Sequence, residues 1–373
     1  MSDDTLTPDQ APGAPHPRET TPLIGQDAAQ QAFLTAYNSD RLHHGWLLTG
    51  PRGVGKATLA WRIAQFLLAT PPREDGGLFG APPPPDTLDI APEHPVAHRI
   101  LAGAEPGLAA ITRSVNDQGR LRNEIVVDDV RKLGRFFGLS SADGGRRVVI
   151  VDSADEMNVS AANALLKMLE EPPARTTLLL ISHQPSRLLP TIRSRCRTLR
   201  LSPLSPDDMQ AALSQTDTEI PSQTDHLAAL AAGSVGDAVR IINLGGLELY
   251  AELIAILGTL PRFDRQRALK LAETAAQRGA AERFDLLLSL IDVVLSRLAL
   301  TGATGTALMP EAAPNEAETL SRLSSSPQKA RQWAEIAAPI TARARHGQAV
   351  NLDPASLVLD TLFKIQETAG HNR

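Results

Sequence analysis

A single cysteine, Cys196, stands in 373 residues, and that scarcity removes two architectures at once. No disulfide can form within the chain, and no Cys₄ zinc site can be built. Aromatic residues make up only 3%, so any core must be filled mainly by Leu, Ile, Val and Ala. No apolar run approaches the roughly 18–20 residues that span a bilayer, and the acidic, Pro-rich beginning of the chain is unlike a signal peptide. These features predict a cytoplasmic chain without a membrane partner. Basic residues are not in excess either. Lys plus Arg number 37 against 42 Asp plus Glu, a formal charge of −5, whereas a protein that itself grips duplex DNA usually shows a basic surface.

What the chain does have is 42% hydrophobic residues, material for two or three domains with separate cores. Residues 1–20, rich in Pro, Asp and Thr, are expected to be a disordered tail. The segment from Leu47 to Thr58 then contains Gly50-Pro51-Arg52-Gly53-Val54-Gly55-Lys56, the G-x-x-x-x-G-K spacing of a phosphate-binding loop. Backbone N–H groups from Gly53 through Val54 and Gly55 to Lys56 would ring a phosphate at the start of a helix, with Lys56 as counter-charge. The following position calls for a Ser or Thr hydroxyl to ligate Mg²⁺. It is Ala57, and the neighbouring Thr58 points about 100° away around the helix.

Arg146 to Asp152 reads as a buried parallel strand ending in a carboxylate, so Asp152 fits the second Mg²⁺ anchor of a P-loop ATPase. The next residue in an active enzyme of this kind would be a Glu that polarises water. Ser153 stands there and is no useful base at neutral pH. Asp155 and Glu156 lie farther along as alternative bases.

The run Val151 to Asn158, the helix-like Ala161 to Pro173 that contains Leu165-Leu166-Lys167-Met168-Leu169-Glu170-Glu171-Pro172-Pro173, and Ser194-Arg195-Cys196 occur in order. Together with the loop they resemble the clamp-loader AAA+ ATPases of DNA replication, over roughly Pro22 to Ala238. The resemblance implies an α/β P-loop AAA+ domain, a parallel sheet flanked by helices, over 21–202. A small helical lid is implied for 203–245, and an all-α collar that joins subunits for 246–373.

It also implies that Arg195 reaches the ATP of a neighbouring subunit, whereas Arg193, Arg197 and Arg200 solvate an edge strand. A further arginine, expected to touch the chain's own nucleotide, is replaced by Gly236. The polar sensor at the end of the strand Thr177 to Ile181 is Ser182 or His183.

With the metal hydroxyl, the water-orienting carboxylate and the cis arginine all missing, intrinsic hydrolysis is expected to be negligible. No cofactor is required. Gly50, Gly53, Val54, Gly55, Lys56, Thr58 and Asp152 would hold ATP or ADP weakly, and neither resident metal nor zinc is expected. The resemblance implies partners of the gamma/tau and delta types in a heteropentamer, which acts on the sliding clamp and primed DNA. The alternatives are an autonomous AAA+ ATPase relying on Thr58 and Glu156, and a scaffold with no working pocket.

Elsewhere the pattern is structural. The Pro-rich stretch 70–95 is read as an exposed loop, because repeated proline removes backbone donors. Asp128 is expected to cap a helix after Ile125-Val126-Val127. Ala162, Leu165, Leu166 and Leu169 form a core-facing stripe, and Glu170-Glu171 a solvated end. Helical stretches 253–260, 265–277 and 283–300 read as a bundle, with 301–315 as a loop.

Overall fold

The apolar runs that alternate with helical segments in the first half of the chain become the strands of one parallel sheet. The computed structural model describes residues 8–10, 14–20, 22–39, 41–70, 83–138, 145–216, 218–275 and 281–370. They divide into two compact units, Met1–Thr216 with Gly233–Gly236, and Asp217–Ala232 with Asp237–Arg373.

In the first unit α1 (Asp27–Asn38) leads to β1 (Gly45–Thr49) and α2 (Lys56–Ala69). Then follow α3 (Pro95–Leu101), β2 (Leu108–Ile111), α4 (Val127–Gly138), β3 (Arg147–Val151), α5 (Val159–Glu170), β4 (Thr176–Ser182), α6 (Pro190–Arg193), β5 (Arg197–Arg200) and α7 (Pro206–Leu213). The strand order is β2-β3-β4-β1-β5 and every neighbouring pair is parallel.

The three inner strands are nearly continuous Leu, Ile and Val because helices cover both of their faces. On one face Leu47, Val149, Val151, Leu178 and Leu180 pack with Val130 and Leu133 of α4 and Leu165 and Leu169 of α5. On the other, α1 and α2 contribute Phe33, whose ring lies 5.0 Å from Trp46, and Tyr37 stacked edge-on to Phe66 at 4.9 Å. Full burial of each such side chain contributes about 1.5–3 kcal/mol.

Helix α5 shows how local chemistry sets the frame. The Asn158 side chain accepts the Ala161 N–H at its start, Ala162, Leu165 and Leu169 are buried, and Pro172 follows its last turn. The expected stripe is therefore present, with Leu166 half-buried.

The cap of α4 is a correction. Asp129, not Asp128, turns inward: its carboxylate accepts from the Val126 N–H at 3.2 Å and the Ser114 hydroxyl at 3.1 Å, and pairs with Lys132. Burial works against its charge, but these partners hold its pKa below the ordinary value. Asp128 stays on the surface with Arg131. Adjacent carboxylates look alike in sequence, and only the helix phase distinguishes them.

The tail also departs from expectation. Among its described residues, His16 is buried, bonded to Asp9 at 3.0 Å and edge-on to Trp61 of α2. Of the Pro-rich stretch, 71–82 lies outside the described residues. Beyond it Pro85 accepts from the Asn38 amide, and Leu88 is buried.

The second unit is all helical: α8 (Thr224–Ala231), α9 (Val235–Asn243, whose first residues group with the sheet unit), α10 (Gly246–Gly258), α11 (Arg265–Ala275), α12 (Ala281–Thr304), α13 (Glu316–Leu323), α14 (Pro327–Ala349) and α15 (Pro354–Gly370). Helix α12 packs along α14, and α11 along α15. The stretch read as a lid, 203–245, is thus shared between the units, with α7 in the first.

The loop expected from Thr301 starts one turn later, because α12 runs on to Thr304. Gly302 is not a breaker there. A Cβ on it would lie 2.2 Å from the Ser324 hydroxyl, so glycine permits the close approach of the chain after α13. Helix α12, 24 residues with Asp285, Asp292 and Arg297 interrupting its apolar run, is long and apolar enough by length and composition to cross a membrane, against the expectation from sequence runs alone. Half of it or more is buried in its own unit, as in a soluble core helix.

Candidate functional site

The phosphate loop leaves β1 between the central strand β4 and the edge strand β5, where Thr49 lies beside Ser182 of β4 and Arg200 of β5. In a parallel α/β sheet this carboxyl-terminal edge is where ligands bind. Gly53 has φ +69°, and a Cβ on it would come within 2.2 Å of the Ser234 hydroxyl and 2.9 Å of the Gly236 nitrogen. The Gly236 N–H in turn donates to the Gly53 carbonyl at 3.2 Å. Gly236 therefore does more than lack an arginine: the segment 233–236 lies directly against the loop, and neither glycine can carry a side chain without displacing the other.

Gln26 also holds the loop. Its buried amide donates to the carbonyls of Val54 at 3.1 Å and Ser202 at 2.8 Å.

Lys56 is the first residue of α2 and is buried. Its ammonium donates to the Gly50 carbonyl at 2.8 Å and to the Pro51 carbonyl. Burial lowers its pKa to about 8, with Asp152 and Asp155 opposing and Arg52 assisting, so it remains cationic at neutral pH. The curled loop, the N-terminus of a 14-residue helix and this cation together fit a polyphosphate. They do not fit the usual Mg²⁺: Ala57 offers a methyl group, and Thr58 is buried within the helix packing. Among the described residues, no group of three or more His, Cys, Asp and Glu side chains gathers as a metal site.

The carboxylates beyond β3 are already engaged. The Ser153 hydroxyl donates to Asp152 Oδ1 at 2.9 Å and lies 2.8 Å from His183 Nε2. With the hydroxyl proton given to Asp152, the histidine N–H is the donor in that second bond. Burial raises the Asp152 pKa to about 6, although Ser153 and Lys56 favour its charge. Burial, Lys56 and Arg52 lower that of His183 to about 3, so its ring is neutral.

Asp155 accepts the N–H groups of His183 and Gln184 at 3.0 and 3.2 Å, capping the exit of β4. Glu156 is clamped between Arg52 at 2.8 Å and Arg113 at 2.9 Å. Neither is a free base. Of the candidate sensors, His183 reaches this group, whereas the Ser182 hydroxyl is buried without a hydrogen-bond partner among the described residues.

Arg195 is not part of this cluster. A Cβ on Gly45, the first residue of β1, would lie 3.0 Å from the Arg195 carbonyl, whereas the phosphate loop starts after Thr49. The length of β1, about 15 Å, separates them. The Arg195 side chain is 37% exposed. Its Nη2 donates to Glu170 Oε1 at 2.9 Å and its Nη1 to the Thr191 carbonyl at 3.1 Å. Arg193, Arg197 and Arg200 are exposed, and the Arg197 guanidinium lies 5.3 Å from the Trp46 ring centre. Sequence reasoning missed Gln26, Arg52, Arg113 and Ser234, because their partners are distant in the chain and no local pattern marks them. Glu170 is exposed, as expected of a solvated helix end, and its pairing with Arg195 is the part that no local pattern marks.

A phosphate loop opening the helix after an inner strand of a parallel sheet, with a carboxylate at the end of a nearby strand and a following helical unit, defines a P-loop fold of the AAA+ class. Within that class, residues 25–205 match the family described as DNA polymerase III, delta subunit. The chain is 36% identical to the DNA polymerase III subunit delta' of Pseudomonas aeruginosa over 60% of its own length and 64% of the relative's. It is 30% identical to the subunit of the same name from Bacillus subtilis, over 65% of its length and 63% of the relative's. Against the DNA polymerase III subunit tau of Salmonella typhimurium it is 27% identical, over 73% of its length and 40% of the relative's. The chain thus spans less than two thirds of these relatives' lengths.

Proposed function

We propose that this chain is a delta-prime-like subunit of a bacterial clamp loader, a stator that does not turn over ATP itself and supplies Arg195 to the nucleotide held by an adjacent ATPase subunit. The partners on this reading are gamma/tau-type subunits and a delta subunit in a cytoplasmic heteropentamer that loads a sliding clamp onto primed DNA. The observation that carries it is the division of groups between the two ends of the sheet. In the chain's own pocket Ala57 replaces the metal ligand, Ser153 is bound to Asp152, and Asp155 and Glu156 are occupied. At the other end stands a half-exposed guanidinium. A guanidinium of that kind stabilises charge on a transferring phosphoryl group when it reaches a neighbour's nucleotide.

The engagement of Glu156 by two arginines weighs against the autonomous ATPase. The loop and Lys56 support weak holding of ATP or ADP. In a reconstituted assembly, Arg195→Ala is expected to lower DNA-stimulated ATP hydrolysis on the order of 100-fold and to slow clamp loading. Unchanged rates would remove the trans role, and brisk Mg²⁺-dependent turnover by the isolated chain would remove the stator reading.

A further inference from the structure

The Arg195 side chain is not loose. Two acceptors fix its guanidinium: the Glu170 carboxylate at 2.9 Å and the Thr191 carbonyl at 3.1 Å. Both come from elements that are themselves anchored. Glu170 is the last residue of α5, and the Leu169 carbonyl beside it accepts from His44 Nε2 at 2.9 Å, which ties the helix end to the chain entering β1. The other end of α5 is held by the Asn158 N–H donating to the Ile125 carbonyl at 3.0 Å. Thr191 belongs to α6, whose turn is closed by the Ser194 N–H donating to the Pro190 carbonyl at 2.9 Å. A guanidinium has five N–H donors, and these two bonds use only one on each terminal nitrogen of a side chain that is 37% exposed.

We infer that Glu170 is a positioning residue for Arg195, holding the guanidinium in the orientation in which it meets a nucleoside triphosphate presented by a neighbouring subunit. This rests on the trans role proposed above. An unrestrained arginine must lose rotamer freedom on engaging phosphate, whereas one already fixed loses little. The exposure of the pair, 37% for the arginine and 44% for the glutamate, matters equally. A screened pair in high dielectric is a weak competitor, so phosphate oxygens can take the open donors, or replace the carboxylate, without a large penalty.

The test is steady-state, DNA-stimulated ATP hydrolysis by the assembled complex carrying Glu170→Ala, Glu170→Gln, Arg195→Ala, or Glu170→Ala combined with Arg195→Ala in this chain. Glu170→Ala is expected to lower kcat about five- to tenfold with the KM for ATP unchanged. Glu170→Gln keeps an acceptor oxygen and should restore most of the rate, and the double substitution should match Arg195→Ala alone. Wild-type rates in Glu170→Ala beside a slow Arg195→Ala overturn the role of Glu170 while leaving the trans role standing. A wild-type rate in Arg195→Ala removes the trans role itself, and this inference with it. A loss in Glu170→Ala that follows reduced assembly on sizing, and that glutamine does not restore, assigns Glu170 to folding and also overturns it.

Discussion

Two arginine–glutamate pairs, one in each unit, share the same chemistry and differ in nearly everything else. In the helical unit Arg297 of α12 makes a bidentate pair with Glu316 at the start of α13, at 2.7 and 3.0 Å, and the glutamate is 1% exposed. Glu316 also accepts from the Tyr250 hydroxyl and the Ala312 N–H, both at 2.5 Å, while Arg297 donates to the carbonyls of Leu308 and Pro310. Burial and this carboxylate push the tyrosine pKa up, so the phenol stays a donor. Burial and the four hydrogen bonds on this carboxylate hold the pair inside the unit. In the sheet unit the Arg195–Glu170 pair is half-exposed and leaves donors open. The residue types do not decide which pair is a structural lock and which is available for recognition; solvent access and the number of competing partners do.

The largest expected effect tests the buried side of this contrast. Glu316→Ala leaves a guanidinium, a phenol and a backbone N–H without their acceptor, and should destabilise the helical unit by about 3–5 kcal/mol in urea unfolding. A loss below about 1 kcal/mol would place this pair with the exposed one.

An intermediate case is Asp152, whose burial outweighs the help that Ser153 and Lys56 give to its charge. Its pKa is raised from 3.8 to about 6, so between these values the folded chain binds more protons than the unfolded chain. Stability on its account is greatest below that window and falls as pH rises through it. Asp152→Asn should therefore stabilise the sheet unit by roughly 1–3 kcal/mol at pH 7, with the gain vanishing toward pH 4. Calorimetry across that range would expose a gain that is flat or reversed.

The smallest effect belongs to the exposed pair. Glu170→Ala should change thermal stability by less than about 1 kcal/mol, even though it slows the assembly's hydrolysis. A larger destabilisation would erase the distinction between the two pairs.

Much of the first unit was legible because its signals are local. The G-x-x-x-x-G-K spacing, the apolar strand before it and the Val148 to Val151 run each carry their meaning in consecutive residues, and they appear as β1, the loop, α2 and β3. The departures at Ala57 and Ser153 were equally readable. The errors share a different cause. Choosing between Asp128 and Asp129, or starting a loop at Thr301 rather than after Thr304, requires knowing which way a residue faces in the packed helix. The expectation of a disordered tail fails at His16 because Trp61, against which it packs, lies far along the chain, and its other partner Asp9 is an unmarked carboxylate within the tail.

By itself, the sequence determined that a phosphate cradle exists, that its metal hydroxyl and catalytic glutamate are absent, and that an arginine stands in a family-like Ser-Arg-Cys turn, since each is a matter of which atoms are present at a given spacing. Only the tertiary structure decided what those atoms do with one another. Packing brings Ser153 between Asp152 and His183, sets Arg52 and Arg113 on Glu156, presses Gly236 against Gly53, and places Glu170 beside Arg195. Hydrogen bonds and burial depend on distances across the fold, and many of these partners lie far apart along the chain.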